Sequence, residues 1–219
     1  MLFSHQKTNL VAPERALRGR DHYDFAVPSR HHVNGNPIQP PFPQHLQTAV
    51  FGLGCFWGAE EIFWQLPGVW TTAVGYTGGY TAHPSYEEVC SGLTGHTEAV
   101  LVAYDPDRVS YAQLVATFFE VHDPTQGMRQ GNDVGTQYRS AIYYADDAQR
   151  EVAERAKQVF TATLRELGYD AVTTEIAPVG EFYYAEDYHQ QYLAKNPNGY
   201  RCHATTGVRF PLDKLTATA

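Results

Sequence analysis

A chain of 219 residues with a formal net charge of −8 and a sequence pI near 5.6 lacks the surplus of Lys and Arg that phosphate binding requires, which argues against nucleic acid as the main partner. With 43% hydrophobic and 18% charged residues it can build a core, and its length fits one domain with extensions or at most two small domains. Its three cysteines, Cys55, Cys90 and Cys202, are too few and too odd in number for a disulfide-stapled secreted scaffold, and no C-x-x-C pair points to a metal site.

The first ten residues, MLFSHQKTNL, hold no apolar run of the kind a signal peptide needs, and no stretch of about 20 apolar residues is present to span a bilayer. The expectation is a soluble cytoplasmic protein without membrane contact, whose thiols stay reduced unless redox chemistry uses them. Six of the 13 prolines (Pro13, Pro28, Pro37, Pro40, Pro41 and Pro43) lie before residue 44. Proline blocks helix interiors and central strands, so residues 1–45 read as an irregular arm, either free or wrapped on the domain.

Regular patterning starts at residue 47. Thr48 to Leu53 reads as a buried strand, Gly58 to Leu66 as a helix stopped by Pro67-Gly68, and Val69 to Tyr76 as a second strand ending in Thr77-Gly78-Gly79. Pro84 to Val89 fits a short helix and Glu98 to Tyr104 a weakly alternating strand. Ser110 and Gln113 form a capping box ahead of Leu114, Val115, Phe118 and Phe119 at helical spacing. Residues 123–137 read as a loop and Tyr138 to Tyr144 as a strand. The clearest helix runs from about Asp147 to Leu167, capped by Asp146 and ended by Gly168. Ala171 to Ile176 reads as a strand, Glu186 to Lys195 as a short helix, and the chain after Pro197 as loop. The order from 47 to 144 is β-α-β-(short α)-β-α-β, which predicts an α+β two-layer sandwich with a ferredoxin-like split β-α-β core. The expected division is an arm (1–45), a folded domain (46–195) and a flexible tail (196–219).

Cys55 stands in Gly54-Cys55-Phe56-Trp57-Gly58, where a strand gives way to a helix. Free amides at a helix N-terminus favour a thiolate, glycines on both sides admit another molecule, and Phe56 and Trp57 supply apolar surface. A lone Cys is more often a small buried core residue, but this junction favours a nucleophile.

The segments GCFWG (54–58), GYTGG (75–79), PSYEEVCSGLTGHTEAV (84–100), HDPTQGMRQGNDVGTQYRSAIYY (122–144) and YYAEDYHQQYL (183–193) together resemble A-type peptide methionine sulfoxide reductases. The resemblance covers about residues 46–200, and ALRGR and HHVNGNPI in the arm resemble the extension of longer bacterial members. It implies reduction of methionine-S-sulfoxide, free or in proteins, to methionine. In that chemistry Cys55 attacks the sulfoxide sulfur and becomes a sulfenic acid, which a second thiol condenses to a disulfide.

By the same resemblance Glu98, in His96-Thr97-Glu98-Ala99, is the acid. Its carboxyl beside Phe56 and Trp57 is expected to lose solvation and rise in pKa. The resemblance also implies that Tyr86 and Tyr138 orient the sulfoxide oxygen, that Phe56 and Trp57 wall the methyl group, and that Asp133 binds the substrate backbone. Cys202 is the implied resolving thiol, with Arg201 and His203 expected to favour its thiolate. His189 is either a support for the site or ordinary packing. Two departures stand out: Arg201 intervenes between Gly199-Tyr200 and Cys202, and Arg209 follows Gly207-Val208 where some relatives carry a recycling cysteine. A two-cysteine cycle is therefore expected, reduced by thioredoxin or dithiothreitol, with Cys90 structural, no metal or organic cofactor, and a monomer as the working unit.

Two rival readings remain at this level. One is a cysteine hydrolase with His96 or His189 as base and Asp133 or Asp187 as orienter. The other is a thiol-containing binding module without turnover.

Overall fold

A computed structural model describes residues 7–202 and 204–216. Apolar runs rich in Val, Ala and Tyr form a six-stranded mixed sheet from β1 (Gln47–Leu53), β2 (Val69–Thr77), β3 (Thr97–Tyr104), β6 (Ser140–Tyr144), β7 (Glu175–Pro178) and β8 (Tyr183–Tyr184). Its spatial order is β7-β6-β1-β3-β2-β8. β3 lies antiparallel between β1 and β2, β6 flanks β1 antiparallel, and only β6 and β7 pair in parallel. A separate ribbon joins β4 (Arg129–Gln130) to β5 (Asp133–Val134), inside the segment expected to be all loop.

The helices are α1 (Phe56–Trp64), α2 (Tyr86–Cys90), α3 (Tyr111–Glu120), α4 (Asp147–Glu166), α5 (Tyr192–Lys195) and α6 (Leu212–Thr216). Caps set their starts: Gln113 N–H reaches Ser110 Oγ at 3.2 Å, and Gln149 N–H reaches Asp146 Oδ1 at 2.8 Å, as their spacing predicts. A second capping box, Ser85 with Glu88, starts α2. α1 begins two residues before the expected Gly58, because Gly54 rather than Gly58 makes the turn out of β1. Of residues 186–195, expected to be helical, 187–191 form turns and only Tyr192–Lys195 is helical.

One face of the sheet packs on α1, α3 and α4 through a ladder of aromatic rings. Phe51 stacks on Phe63 at 5.1 Å and on Phe118 at 5.5 Å, and Phe119 meets Phe160 at 5.3 Å and Phe210 at 5.8 Å. Phe210 overturns the reading of the tail as loop throughout. Its ring is buried between α3 and α4, its N–H donates to Glu120 Oε1 at 2.7 Å, and α6 follows with Leu215 buried.

The other face is largely covered, so β1, β2 and β3 are buried along most of their length instead of alternating. The arm covers it. Ile38 is fully buried against Ala73 and Tyr184, Tyr184 N–H donates to Tyr23 Oη at 2.8 Å, and His31 Nε2 bonds Thr72 Oγ1 at 3.0 Å. Of the two states open to the arm, the wrapped one is observed.

Candidate active site

β1 is followed by Gly54, whose φ of +96° lies in the region that favours glycine. A Cβ there would stand 2.7 Å from Gln130 Cγ, so the close approach at this glycine is filled by the chain's own Gln130. The turn makes Cys55 the N-cap of α1, beside the amides of the first turn, of which Trp57 N–H reaches its sulfur. Another, Phe56 N–H, donates to Glu98 Oε2 at 3.0 Å. Glu98 comes from β3, opposite Tyr76 of β2, and is 2% exposed.

Burial pushes the Glu98 carboxyl up to about 8, against the lowering effect of Phe56 N–H, with Asp133 adding to the rise. At neutral pH the group is therefore mostly protonated. The same burial and the nearby Glu98 carboxylate raise the Cys55 thiol well above its ordinary value, although Trp57 N–H works in the opposite direction. This corrects the expectation of a resting thiolate: the helix terminus is present, but desolvation outweighs it.

Trp57 is held on two sides. Its Nε1–H donates to His189 Nδ1 at 3.0 Å and its indole stacks on Tyr192 at 3.9 Å. His189 thus accepts at Nδ1 and carries its proton on Nε2, which faces Glu186 Oε2 at 3.9 Å. Burial lowers His189 to about 4, so the ring is neutral. His96 is bonded to Gly79 N–H and Thr81 O, and Asp187 to Lys195, so among the described residues no histidine is joined to Cys55 as a base. The hydrolase constellation is not assembled.

Tyr86 opens α2. Its N–H donates to Glu186 Oε1 at 2.8 Å, and its hydroxyl lies in hydrogen-bond reach of Cys90 one turn on. Tyr138 was expected at the start of a strand but ends a 3-10 turn, Thr136–Tyr138, ahead of β6. Arg139 pins that turn: Nη1 donates to Thr136 O at 2.9 Å and Nε meets Glu175 Oε2 at 2.7 Å. Burial raises both phenols far above the usual tyrosine value, so both remain donors at every physiological pH.

Cys55, Phe56, Trp57, Tyr86, Glu98, Asp133 and Tyr138 line one small cavity of about 90 Å³, together with Tyr200. Every residue expected at the site except Cys202 is there. Sequence reasoning missed Tyr200, whose hydroxyl donates to Asp133 Oδ2 at 3.1 Å, and Glu186, whose oxygens also accept from Tyr76 Oη–H at 3.0 Å. A signal for Tyr200 existed: it stands two residues before Cys202, on a segment that must approach Cys55.

Cys202 lines a second cavity of about 170 Å³, with Gly58, Glu61 and Gln130. The two cavities share Cys55 and no other lining residue. The Cys202 thiol lies 3.5 Å from Gln130 O. Arg201 does not serve its sulfur as expected. Its guanidinium is bidentate to Glu61 of α1, at 2.7 and 2.8 Å. His203 lies outside the described residues. All three cysteines are free, and among the described residues no cluster of three or more His, Cys, Asp or Glu is placed to hold a metal.

A family model described as peptide methionine sulfoxide reductase matches residues 47–214. The chain is 60% identical over 207 residues to peptide methionine sulfoxide reductase MsrA 1 of Synechocystis, covering 94% of this chain and 93% of that one. It is 63% identical over 202 residues to MsrA of Azotobacter vinelandii, covering 92% and 93%. Among solved structures, methionine sulfoxide reductase A of Corynebacterium diphtheriae superposes with a TM-score of 0.83 at 47% identity, covering 91% of this chain and 97% of that one. The reduced form of Mxr1 from Saccharomyces cerevisiae does so with a TM-score of 0.69 at 34% identity, covering 75% and 94%. With the family's match spanning both cavities around Cys55, this chain belongs to the peptide methionine sulfoxide reductase family.

Proposed function

We propose that this chain is a peptide-methionine (S)-S-oxide reductase in which Cys55 is the nucleophile and Glu98 the acid. One observation carries the assignment of roles: a buried carboxyl, raised to about 8, shares a cavity with the Cys55 sulfur and two protonated phenols. The sulfoxide methyl group packs on Phe56 and Trp57. Tyr86 and Tyr138 donate to the oxygen, and Asp133 with Tyr200 meets the substrate backbone. Cys55 attacks the sulfur as Glu98 gives its proton to the oxygen. The oxygen ends on Cys55 as a sulfenic acid and methionine leaves. Cys202 then attacks the Cys55 sulfur, a disulfide forms and water departs.

The disulfide is reduced by a dithiol, thioredoxin in the cell or dithiothreitol in the tube. The substrate is methionine sulfoxide, free or in proteins, and the outcome is repair of oxidative damage. The chemistry asks for no metal or organic cofactor. The proposed working unit is a monomer, in which one chain supplies nucleophile, acid and resolving thiol. A cytoplasmic location fits the need for a dithiol donor, and among the described residues no helix is long and apolar enough to cross a membrane. Residues 46–195 are read as the catalytic domain, 1–45 as an arm and 196–219 as the segment that carries the resolving thiol. The order β6-β1-β3-β2 supports a ferredoxin-like split β-α-β core.

Thiol counting tests the cycle. With sulfoxide and no reductant, the wild-type chain loses two of its three thiols, and Cys202→Ser loses one and stops at sulfenic acid. A Cys55–Cys90 disulfide in the wild type, seen by mass spectrometry, would assign the resolving role to the wrong thiol.

A further inference from the structure

Tyr86 lines the cavity of Cys55 and also an open groove of about 720 Å³ on the surface beside it. One wall of the groove is the arm, at Leu17, Asp24 and Phe25. The other is α2 with the turn after β8, at Glu87, Glu186 and Tyr188. The arm wall is fixed in place: Leu17 N–H donates to Leu93 O and Arg20 N–H to Ala82 O, each at 3.0 Å. Thr81 Oγ1 also donates to Leu17 O at 2.8 Å.

We propose that this groove binds the polypeptide flanking the methionine sulfoxide and favours a segment that carries Lys or Arg. The proposal rests on the reading of Cys55 as the centre of a sulfoxide reductase. Continuity supplies the first argument. A side chain that fills the Cys55 cavity leaves its backbone at the mouth, and an extended chain rises about 3.3 Å per residue, so its nearest neighbours lie over the groove.

Charge supplies the second argument. Four carboxylates line the groove, Asp24, Glu87, Glu88 and Glu186, against one guanidinium, Arg20. Arg20 is committed: Nη2 bonds Glu88 Oε1 at 2.9 Å and Nη1 bonds His83 O at 2.9 Å, while Asp24 stands 4.0 Å off. Glu186 is taken by Tyr76 and Tyr86. Glu87 is exposed, and Asp24, also exposed, is only loosely paired with Arg20 at 4.0 Å, so both face a visiting cation. Lys7 is a second cation beside the groove, its Cα near Gly92 between the lining residues Ser91 and Leu93, so the carboxylates outnumber the nearby cations four to two. The apolar surface suits the stem of a long basic side chain, with Leu17 and Phe25 beside it and Tyr188, 54% exposed, as a face for the charge.

The test compares kcat/KM for peptides of equal length in which methionine sulfoxide is flanked by Lys, by Gln or by Glu, with N-acetylmethionine sulfoxide as the unflanked reference. Wild type is expected to favour the Lys peptide over the Glu peptide by about three- to tenfold at low salt, falling toward parity at high salt. In the Asp24→Asn, Glu87→Gln double variant the preference disappears and turnover of N-acetylmethionine sulfoxide is unchanged. No preference in wild type, or one that survives in the variant, overturns the proposal. Binding of a labelled Lys-flanked methionine peptide to Cys55→Ser protein, followed by fluorescence anisotropy, reads the groove without turnover. There the same two substitutions weaken binding, and unchanged binding overturns the proposal. Absence of turnover on N-acetylmethionine sulfoxide counts against the reductase reading instead, so the two failures are distinct.

Discussion

Cys55→Ser protein folds normally and reduces methionine sulfoxide at least about 10³-fold more slowly in kcat/KM than wild type. Two physical reasons set the size of this effect. First, the site that already raises a thiol's pKa by burial and by the Glu98 carboxylate gives a serine hydroxyl no means to ionise. Second, the reaction deposits the sulfoxide oxygen on the attacking atom. Sulfur accepts it as a sulfenic acid, whereas a serine oxygen would have to form an O–O bond. Cys90 lines neither cavity that meets at Cys55, and it is expected not to replace the missing nucleophile. Turnover with dithiothreitol as reductant, followed by chromatography of methionine, checks the result. Activity above about a hundredth of wild type, in protein with an unchanged near-UV circular dichroism spectrum, removes Cys55 from its role.

Glu98→Gln is expected to lower the rate of the reductive step by about 10²- to 10⁴-fold, the range of a lost general acid. Its pH profile is the sharper reading. At pH 6 Cys55 and Glu98 are both protonated, since burial raises both. Attack needs charge on the sulfur while Glu98 keeps a proton, so one proton must leave the pair and one must stay. The first departure belongs to the pair and falls near the Glu98 value of about 8. In wild type kcat/KM therefore rises with pH up to about 8 and levels off above it. In Glu98→Gln the only titrating group left is the thiol, and the rising limb shifts upward. Single-turnover formation of sulfenic acid in Cys202→Ser protein, measured across pH, isolates this step. A wild-type profile that is flat from pH 6 to 9, or a variant limb at the wild-type position, contradicts the assignment.

Elements with local signals were legible in the sequence. Ser110 with Gln113 and Asp146 with Gln149 start helices by short-range bonds that spacing alone reveals. The Ser85–Glu88 box carried the same signal and went unread. Elements set by distant partners were not legible. Tyr23 binds Tyr184 and His32 N–H binds Gln191 Oε1, more than 150 positions away, so nothing local in the arm's sequence announces that its described residues pack on a sheet face. α6 is too short for periodicity and depends on Phe210 finding Phe119 and Phe160. At the site, the strand-to-helix junction around Cys55 could be read from glycine and aromatic placement. Glu98 could not, because one carboxyl in an apolar strand has the same pattern whether it is solvated or buried. The Cys55 thiolate was misjudged for a related reason: a helix terminus is visible in sequence, while the desolvation that outweighs it is a property of the folded chain.

Cys55 borders two cavities that share no other residue, one walled by Trp57 and Glu98 and one by Cys202. Incoming sulfoxide and incoming thiol therefore do not queue for one doorway. On the proposed roles, newly made methionine sits in the other chamber, and disulfide closure is expected to proceed without waiting for it to leave. Added methionine is then expected to compete with sulfoxide for entry without changing the rate of disulfide closure in a single turnover.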